Sequence, residues 1–177
     1  YELDMFIRYR YKTKYKDHTD KYDVKSAIPY IQQKARYQLV YSHAGGWMLK
    51  TTVDYVHARY SGCNASQGIL VAQSAGYPFR RLPLRVDGSI AWFHTDDYNS
   101  RISLYEKSLL HMFSIPSFYG RGMRFSLLAR YECSEHLMFQ AKYGITHYRD
   151  RKTIGTSWEQ IDGNVKSDLY LQVRVKF

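Results

Sequence analysis

Apolar and polar residues alternate over residues 168–177, which is the most regular stretch of the chain. Side chains along a β-strand point alternately to opposite faces, so Leu169, Leu171, Val173, Val175 and Phe177 share one face. The residues between them are mostly polar or charged. We therefore predict a strand with one apolar face and one polar face.

The same alternation recurs along the chain and predicts nine strands. At Glu106, Lys107 and Ser108 the alternation breaks, so a bulge or a further turn is expected there. Residues 44–46 predict a tight hairpin, and residues 18–26 predict a longer turn. The predicted strands cover residues 2–16, 31–42, 47–55, 69–75, 84–93, 101–113, 123–132, 137–146 and 168–177.

The length of these strands favours a membrane. Most run for about ten residues, whereas ~9–11 cross a bilayer at a tilt and ~5–6 are usual in globular proteins. In hydrocarbon every backbone group must be paired within the protein, so a sheet has to close on itself. We predict an all-β, antiparallel transmembrane β-barrel, or the C-terminal part of a larger one, with about eight to ten strands in this chain.

Two other architectures compete with the barrel. Charges interrupt every candidate for the ~20 apolar residues that a transmembrane helix needs, which excludes an α-helical membrane protein. A soluble β-sandwich stays open as the alternative, although it normally uses shorter strands. The prediction is a single outer-membrane barrel domain over residues 1–177.

The predicted strand number bears on whether strands precede Tyr1. Single-chain bacterial barrels have an even number of strands and both ends in the periplasm. Nine strands would leave Tyr1 outside the cell, so either an upstream strand is missing or the count is wrong near Glu106. A barrel of eight to ten strands is largely filled by side chains, whereas a larger one can hold a pore.

The chain is strongly basic, with 26 Lys+Arg against 16 Asp+Glu and a formal net charge of +10. A basic protein is often a nucleic-acid binder, but here the cations are spread over the strands and do not gather on one helix or loop. They have two open interpretations: pairing with Asp4, Asp54, Asp87 and Glu132 on neighbouring strands, or an anion-favouring lumen. The cations predicted to face the lumen are Arg8, Arg10, Lys12, Lys34, Arg36, Lys50, Arg85, Arg124, Arg130, Lys142 and Arg174.

Aromatic residues make up 16% of the chain, and 18 of them are Tyr. Tyr and Trp concentrate at membrane–water interfaces, although core packing would also account for them. Basic residues near the predicted rims, Lys16, Arg80, Arg81 and residues 149–152, are candidates to meet lipopolysaccharide phosphates. The predicted aromatic girdle consists of Tyr9, Tyr37, Trp47, Trp92 and Tyr143.

Catalytic and metal-binding patterns are weak. His94 lies near Asp96 and Asp97, but a polar turn explains this cluster better than catalysis does. Cys63 and Cys133 lack metal-site spacing and are interpreted as ordinary thiols. We predict no catalytic, cofactor-binding or metal-binding residues.

The terminal strand resembles the signal that the barrel-assembly machinery recognises in bacterial outer-membrane proteins. In this resemblance the signal residues are Leu171, Val173, Val175 and Phe177. More narrowly, residues 91–98, 113–122 and 161–177 resemble the C-terminal barrel region of Bacteroidota outer-membrane proteins that are often catalogued as helix-hairpin-helix domain proteins. The resemblance covers roughly residues 68–177 and implies a barrel in the outer membrane of a Gram-negative cell. The hairpin domain of that family lies upstream, so no nucleic-acid role is implied for this segment.

Function is less constrained by the sequence than fold is. The first hypothesis is a structural or scaffolding barrel in an envelope complex, with a plugged lumen, outer-membrane lipid and lipopolysaccharide around it, and envelope proteins as partners. The alternative is a porin-like channel with a positively charged lumen. A lipid A-modifying barrel enzyme is a more distant third hypothesis.

Overall fold

The computed structural model describes residues 1–19, 25–155, 158 and 160–177. The described chain is all-β apart from a short 3-10 helix at Tyr98–Ser100. The strands are β1 (Glu2–Thr19), β2 (Lys25–Ser42), β3 (Met48–Tyr60), β4 (Ser66–Pro78), β5 (Leu84–Thr95), β6 (Ile102–Ser103), β7 (Ser117–Phe118), β8 (Arg121–Glu132), β9 (Leu137–Tyr148), β10 (Thr153–Ile154), β11 (Ile161–Asp162) and β12 (Val165–Val175).

One antiparallel sheet of eight strands dominates the fold, in the order β1-β2-β3-β4-β5-β8-β9-β12. Each strand pairs with the next one of the sheet along the chain, which is the simplest meander. Strands β6 and β7 form a separate two-stranded hairpin, as do β10 and β11. Among the described residues no ladder joins β1 to β12, so these two strands are the edges of an open sheet.

Eight of the nine predicted strands are confirmed, most of them longer than predicted. The turn expected over residues 18–26 is shorter, since Thr19 pairs with Lys25; residues 20–24 lie outside the described part. The sixth strand, predicted over residues 101–113, is wrong. Only Ile102–Ser103 is a strand there, and it pairs with β7 instead of joining the large sheet. With eight strands in the sheet, the parity argument for a strand before Tyr1 no longer applies.

The connections of the sheet differ in length between its two ends. At one end, which we call the short-turn end, residues 43–47, 79–83 and 133–136 connect the strands. The opposite end carries the connections 61–65, 96–120 and 149–164, and we call it the long-loop end. The hairpin predicted at residues 44–46 lies at the short-turn end, where His43 N–H donates to the Trp47 carbonyl (3.0 Å) and Gly46 has a φ of +85°.

The two faces of the sheet have opposite character, as predicted. The charged face carries Arg36, Asp54, Arg124 and Lys142, and the last two are only 5% and 1% exposed. The apolar face carries Leu49, Tyr55, Trp92, Leu127 and Tyr143, which are about two-fifths exposed. In a soluble domain the covered face of a sheet is mainly apolar, whereas here the covered face also holds buried charged residues.

A small hydrophobic core lies on the charged face near the long-loop end. Phe93 of β5 stacks on Phe118 at 4.8 Å between ring centroids and meets Tyr148 edge-on at 5.7 Å. Gly122 makes this packing possible, because a Cβ atom at that position would lie 2.7 Å from the Phe93 ring and 2.4 Å from the His147 carbonyl oxygen. The core cluster consists of Val56, Leu70, Ala72, Ala91, Phe93, Ile102, Leu104, Phe118, Tyr148 and Ile154.

Candidate functional site

The long connection between β5 and β8 covers the charged face. We call residues 97–118 the inserted segment. Its apolar residues Ile102, Leu104 and Leu109 are buried, and its Glu106 is only 2% exposed. A backbone bridge between Glu106 and Ser114 doubles the segment back on itself. The break in alternation at Glu106 therefore marks a chain that leaves the sheet and packs over it.

Glu106 is the centre of a buried ionic network. Arg124 of β8 donates to both Glu106 carboxylate oxygens, at 3.0 and 3.2 Å. Lys142 Nζ of β9 lies 3.2 Å from Glu106 Oε2. Arg124 also forms a two-point pair with Asp168 of β12, at 2.8 and 3.1 Å, and donates to Thr146 Oγ1. One carboxylate of the inserted segment thus joins the cations of two sheet strands, and a third strand completes the network.

Two further ion pairs lie on the charged face. Arg36 of β2 donates to both oxygens of Asp54, directly opposite on β3, at 2.6 and 2.7 Å, and it also donates to the Ser103 carbonyl. Asp87 of β5 pairs with Arg85 on its own strand and with Lys107 of the inserted segment. The predicted pairing between neighbouring strands is therefore present at Asp54, whereas Asp87 pairs within its own strand and with the inserted segment. Among the described residues, Asp4 and Glu132 form no ion pair.

Contacts of the inserted segment show that the sheet curves around it. The Ser103 carbonyl accepts from Arg36 of β2. At the other side, Leu110 N–H donates to Gln140 Oε1 of β9, and the Leu110 carbonyl accepts from Gln172 of β12. In a flat sheet β2 and β12 would lie about 29 Å apart. The chain between Ser103 and Leu110 spans at most about 25 Å when fully extended, and it ends in a turn, since Met112 N–H donates to the Leu109 carbonyl. The charged face is therefore concave.

Every cation predicted to face a lumen lies on this concave face. The strand register aligns Arg8 with Arg36, Arg10 with Lys34, and Arg85 with Arg130. Their surroundings differ, because Arg124 and Lys142 are buried, Arg36, Lys34, Lys50, Arg85, Arg130 and Arg174 are half-buried, and Arg8, Arg10 and Lys12 on the edge strand are exposed. The sequence pattern thus identified the face but not the network within it.

An unbalanced region remains beside β1 and β2. A cavity of about 580 Å³ lies between these strands and the inserted segment, lined by Arg8, Arg10, Lys34 and Arg36 on one side. Of the residues that the structure describes, Asp54 is the only carboxylate that lines the cavity, and Arg36 already engages both of its oxygens. Among the described residues, Arg8, Arg10 and Lys34 form no ion pair. The part of the concave face beside β1 and β2 is therefore strongly cationic.

The start of the inserted segment is fixed by Asp97. Its carboxylate accepts from the backbone N–H groups of Asn99 and Ser100, and from the Ser66 hydroxyl of β4 at 2.5 Å. Partial burial acts to raise the pKa of Asp97, but these hydrogen bonds outweigh it and hold the pKa below its ordinary value. Asp97 belongs to a turn, as predicted, and His94 points elsewhere, since its ring stacks on Trp92 of the apolar face.

A second loop contact lies at the long-loop end. Arg151 stacks on Tyr119 and Tyr148, at 4.4 and 4.3 Å to the ring centroids, and donates to the Tyr119 carbonyl at 2.9 Å. Its pair with Asp150 lowers the pKa of that carboxyl against the opposing effect of burial. Of the other predicted rim cations, Lys16 lies over the Tyr30 ring (4.9 Å), whereas Arg80 and Arg81 belong to the 79–83 turn at the opposite end. The predicted rim residues therefore divide between two ends of the sheet.

Aromatic residues gather near the short-turn end of the strands. Tyr41 and Trp47 lie 5.2 Å apart, Tyr77 meets Phe79 edge-on, and Tyr131 is directly opposite Phe139. Of the predicted girdle, Tyr9, Trp92 and Tyr143 are exposed on the apolar face, and Tyr37 and Trp47 are half-buried. The predicted assembly-signal residues Leu171, Val173, Val175 and Phe177 are all strongly exposed.

The remaining candidates are His, Cys and carboxylate side chains that could hold a metal ion. In the part of the chain that the structure describes, no group of three or more His, Cys, Asp or Glu residues is arranged to hold one. Cys63 belongs to the 61–65 connection and Cys133 to the 133–136 turn, so the two thiols lie at opposite ends of the sheet and are not joined.

Comparisons with known proteins give no further assignment. The chain matches no protein-family model, no curated protein and no solved structure. Among the described residues, no helix has the length and apolar character to cross a membrane.

Proposed function

We propose that this chain is an integral outer-membrane β-barrel that acts as a non-enzymatic structural or scaffolding component of the cell envelope. The observation that carries the proposal is the exposed apolar face of a sheet whose concave face holds a buried ionic network. Water would favour the opposite arrangement, whereas hydrocarbon favours this one. The resemblance to Bacteroidota outer-membrane proteins forms part of the same proposal.

Closure of the sheet is compatible with its topology. A meander of eight strands leaves β1 and β12 antiparallel, so their free edges have the relative direction that a barrel of even strand number requires. The inserted segment already contacts β2 and β12, which are near or at opposite edges. Pairing of β1 with β12 would satisfy both rows of free backbone groups, which cannot face lipid.

The proposed orientation places the short-turn end in the periplasm. Outer-membrane barrels have short periplasmic turns and longer extracellular loops, and the two longest connections of this sheet, 96–120 and 149–164, both lie at the long-loop end. Phe177 and Tyr1 then lie on the periplasmic side. The inserted segment enters the barrel from outside, and its buried network favours a plugged scaffold over an open pore.

The two cysteines provide a direct test of this orientation. Each single-cysteine variant, Cys133→Ser or Cys63→Ser, would be produced in the outer membrane of a Gram-negative host and treated with a polyethylene-glycol maleimide too large to cross that membrane. Cys63 is expected to react on intact cells and Cys133 only after permeabilisation. Equal reaction of both thiols on intact cells would contradict the orientation, and a protein recovered fully soluble without detergent would overturn the membrane assignment.

A porin-like channel is the second candidate function. The cationic cavity beside Arg8, Arg10 and Lys34 favours it, because positive charge lining a pore selects anions. Planar-bilayer recordings separate the two functions. A scaffold gives little or no conductance, whereas the porin-like alternative gives stable anion-selective steps.

A further inference from the structure

Ionic charge is distributed unevenly over the concave face. From β5 to β12, Arg85, Arg124 and Lys142 each have a carboxylate partner, whereas Arg130 and Arg174 have none among the described residues. On β1 no cation of this face has a carboxylate partner among the described residues, and Arg8, Arg10, Lys12, Lys14 and Lys16 follow one another at every second position. The longest cationic stripe of the concave face therefore lies on β1.

Strand register adds like charges to this stripe. Arg8 is directly opposite Arg36, and Arg10 is directly opposite Lys34. Directly opposed like charges destabilise an antiparallel pair. Asp4, the nearest carboxylate along that face of β1, is four residues from Arg8, or about 13 Å. A bound anion would relieve this repulsion.

We propose that the cavity between β1, β2 and the inserted segment binds small phosphate-bearing anions. This inference rests on the proposed barrel, in which β1 faces a lumen. Arg8 and Arg10 are two positions apart on one face, about 7 Å, so two guanidinium groups can each bind a phosphoryl group through paired N–H donors. Lys34 supplies a third cation, and Ser103 offers a hydroxyl from the inserted segment.

The volume of the cavity limits the ligand. About 580 Å³ is in the range of small-molecule sites and far too small for a folded partner. Ile102, Tyr105 and Ile115 form the opposite wall, which suits the organic part of a phosphate ester. The same chemistry exists in lipid A phosphates, but a site on the concave face is closed to lipid, so the two sources can be separated.

Binding of inorganic pyrophosphate to the detergent-solubilised full chain tests the inference, measured by calorimetric titration at constant ionic strength. Arg8→Gln/Arg10→Gln is expected to weaken binding about tenfold, because two charge-assisted contacts are lost. The matched control Arg80→Gln/Arg81→Gln removes the same charge at the short-turn end and is expected to change binding less than about twofold. Arg8→Lys/Arg10→Lys keeps the charge but loses the paired donors, and should fall between them.

Three outcomes would overturn the inference: no saturable pyrophosphate binding, equal weakening by both Arg→Gln variants, or binding of lipid A micelles without binding of pyrophosphate. The heat-dependent gel mobility of a folded barrel, followed in parallel for every variant, reports on the proposed function independently. A folded barrel that fails to bind pyrophosphate refutes only the anion site. A chain that is soluble without detergent refutes the barrel, whatever it binds.

Discussion

At the scale of single residues, Glu106 has the most demanding environment in the described chain. Its carboxylate is fully enclosed and is shared between Arg124 and Lys142, of which Lys142 is 1% exposed. A buried charge is tolerated only when its partners are in place, because removing one partner leaves the other desolvated and unpaired. Glu106 therefore stabilises the inserted segment and two strands of the sheet together.

Glu106→Gln is expected to destabilise the folded protein by about 3–5 kcal/mol, because Lys142 loses its carboxylate partner. The free energy of unfolding in urea, measured in detergent or lipid, checks this. The control Glu135→Gln changes an exposed carboxylate in the 133–136 turn and is expected to have an effect within about 0.5 kcal/mol. Combining Glu106→Gln with Lys142→Met should recover much of the loss, and a single-variant effect below about 1 kcal/mol would contradict the network.

Asp97 predicts a dependence of stability on pH. Its pKa in the folded protein lies below the ordinary value, so its contribution is fully present above the unfolded pKa of about 4 and is lost as the pH falls through the lower folded pKa. Asp97→Asn keeps a good capping residue but cannot titrate. In unfolding measurements from pH 7 downward, the variant should lose less stability below about pH 4 than the parent chain does. Parallel curves would contradict this assignment.

At the scale of the strands, alternation in the sequence was sufficient to locate the faces. It also assigned Arg124 and Lys142 to the correct side. It failed at residues 101–113, because a segment that leaves the sheet can still contain apolar residues such as Ile102 and Leu104 at strand-like spacing. What decides its position is the pairing of Glu106 with residues distant in sequence, and no local pattern encodes that pairing. The loss of alternation at Glu106 was the one available signal.

Strand β8 offers a test of what covers the apolar face. Leu127 lies near the middle of β8 and is 39% exposed on that face. In a bilayer Leu127→Lys should destabilise the protein by about 2–4 kcal/mol, since a cation near the midplane must leave water. The measurement is the free energy of unfolding from lipid vesicles, with Glu135→Lys in a short turn as the control. An unchanged stability, or improved solubility without detergent, would contradict lipid contact.

At the scale of the whole molecule, the meander and its two faces could be predicted from the sequence. The residues that the inserted segment places against the concave face could not. The unmatched cations of β1 were visible as alternating Arg and Lys residues, but the number of carboxylates near them depended on the path of the inserted segment. A single face can thus contain paired and unpaired cations that composition alone does not distinguish.

Shortening the inserted segment tests whether this segment plugs the proposed barrel. Ser103 and Ser117 are paired in β6 and β7, so replacing residues 104–116 by Asn-Gly joins them through a two-residue turn. The parent chain is expected to conduct weakly in planar bilayers, and the shortened variant to conduct several-fold better, because Lys142 and Arg124 then line open space. Equal conductance of two folded proteins would contradict a plugging role for the segment.

The contacts of the inserted segment with both β2 and β12 also constrain the order of assembly. Neighbouring strands of a meander can pair one after another along the chain. The inserted segment, however, cannot complete its contacts until β12 has joined the sheet, because Leu110 accepts a hydrogen bond from Gln172 of β12. Asp168, also on β12, completes the buried ionic network by accepting from Arg124. The inserted segment therefore takes its final position last. An intermediate that stops before this step would have a formed sheet whose concave face is still hydrated.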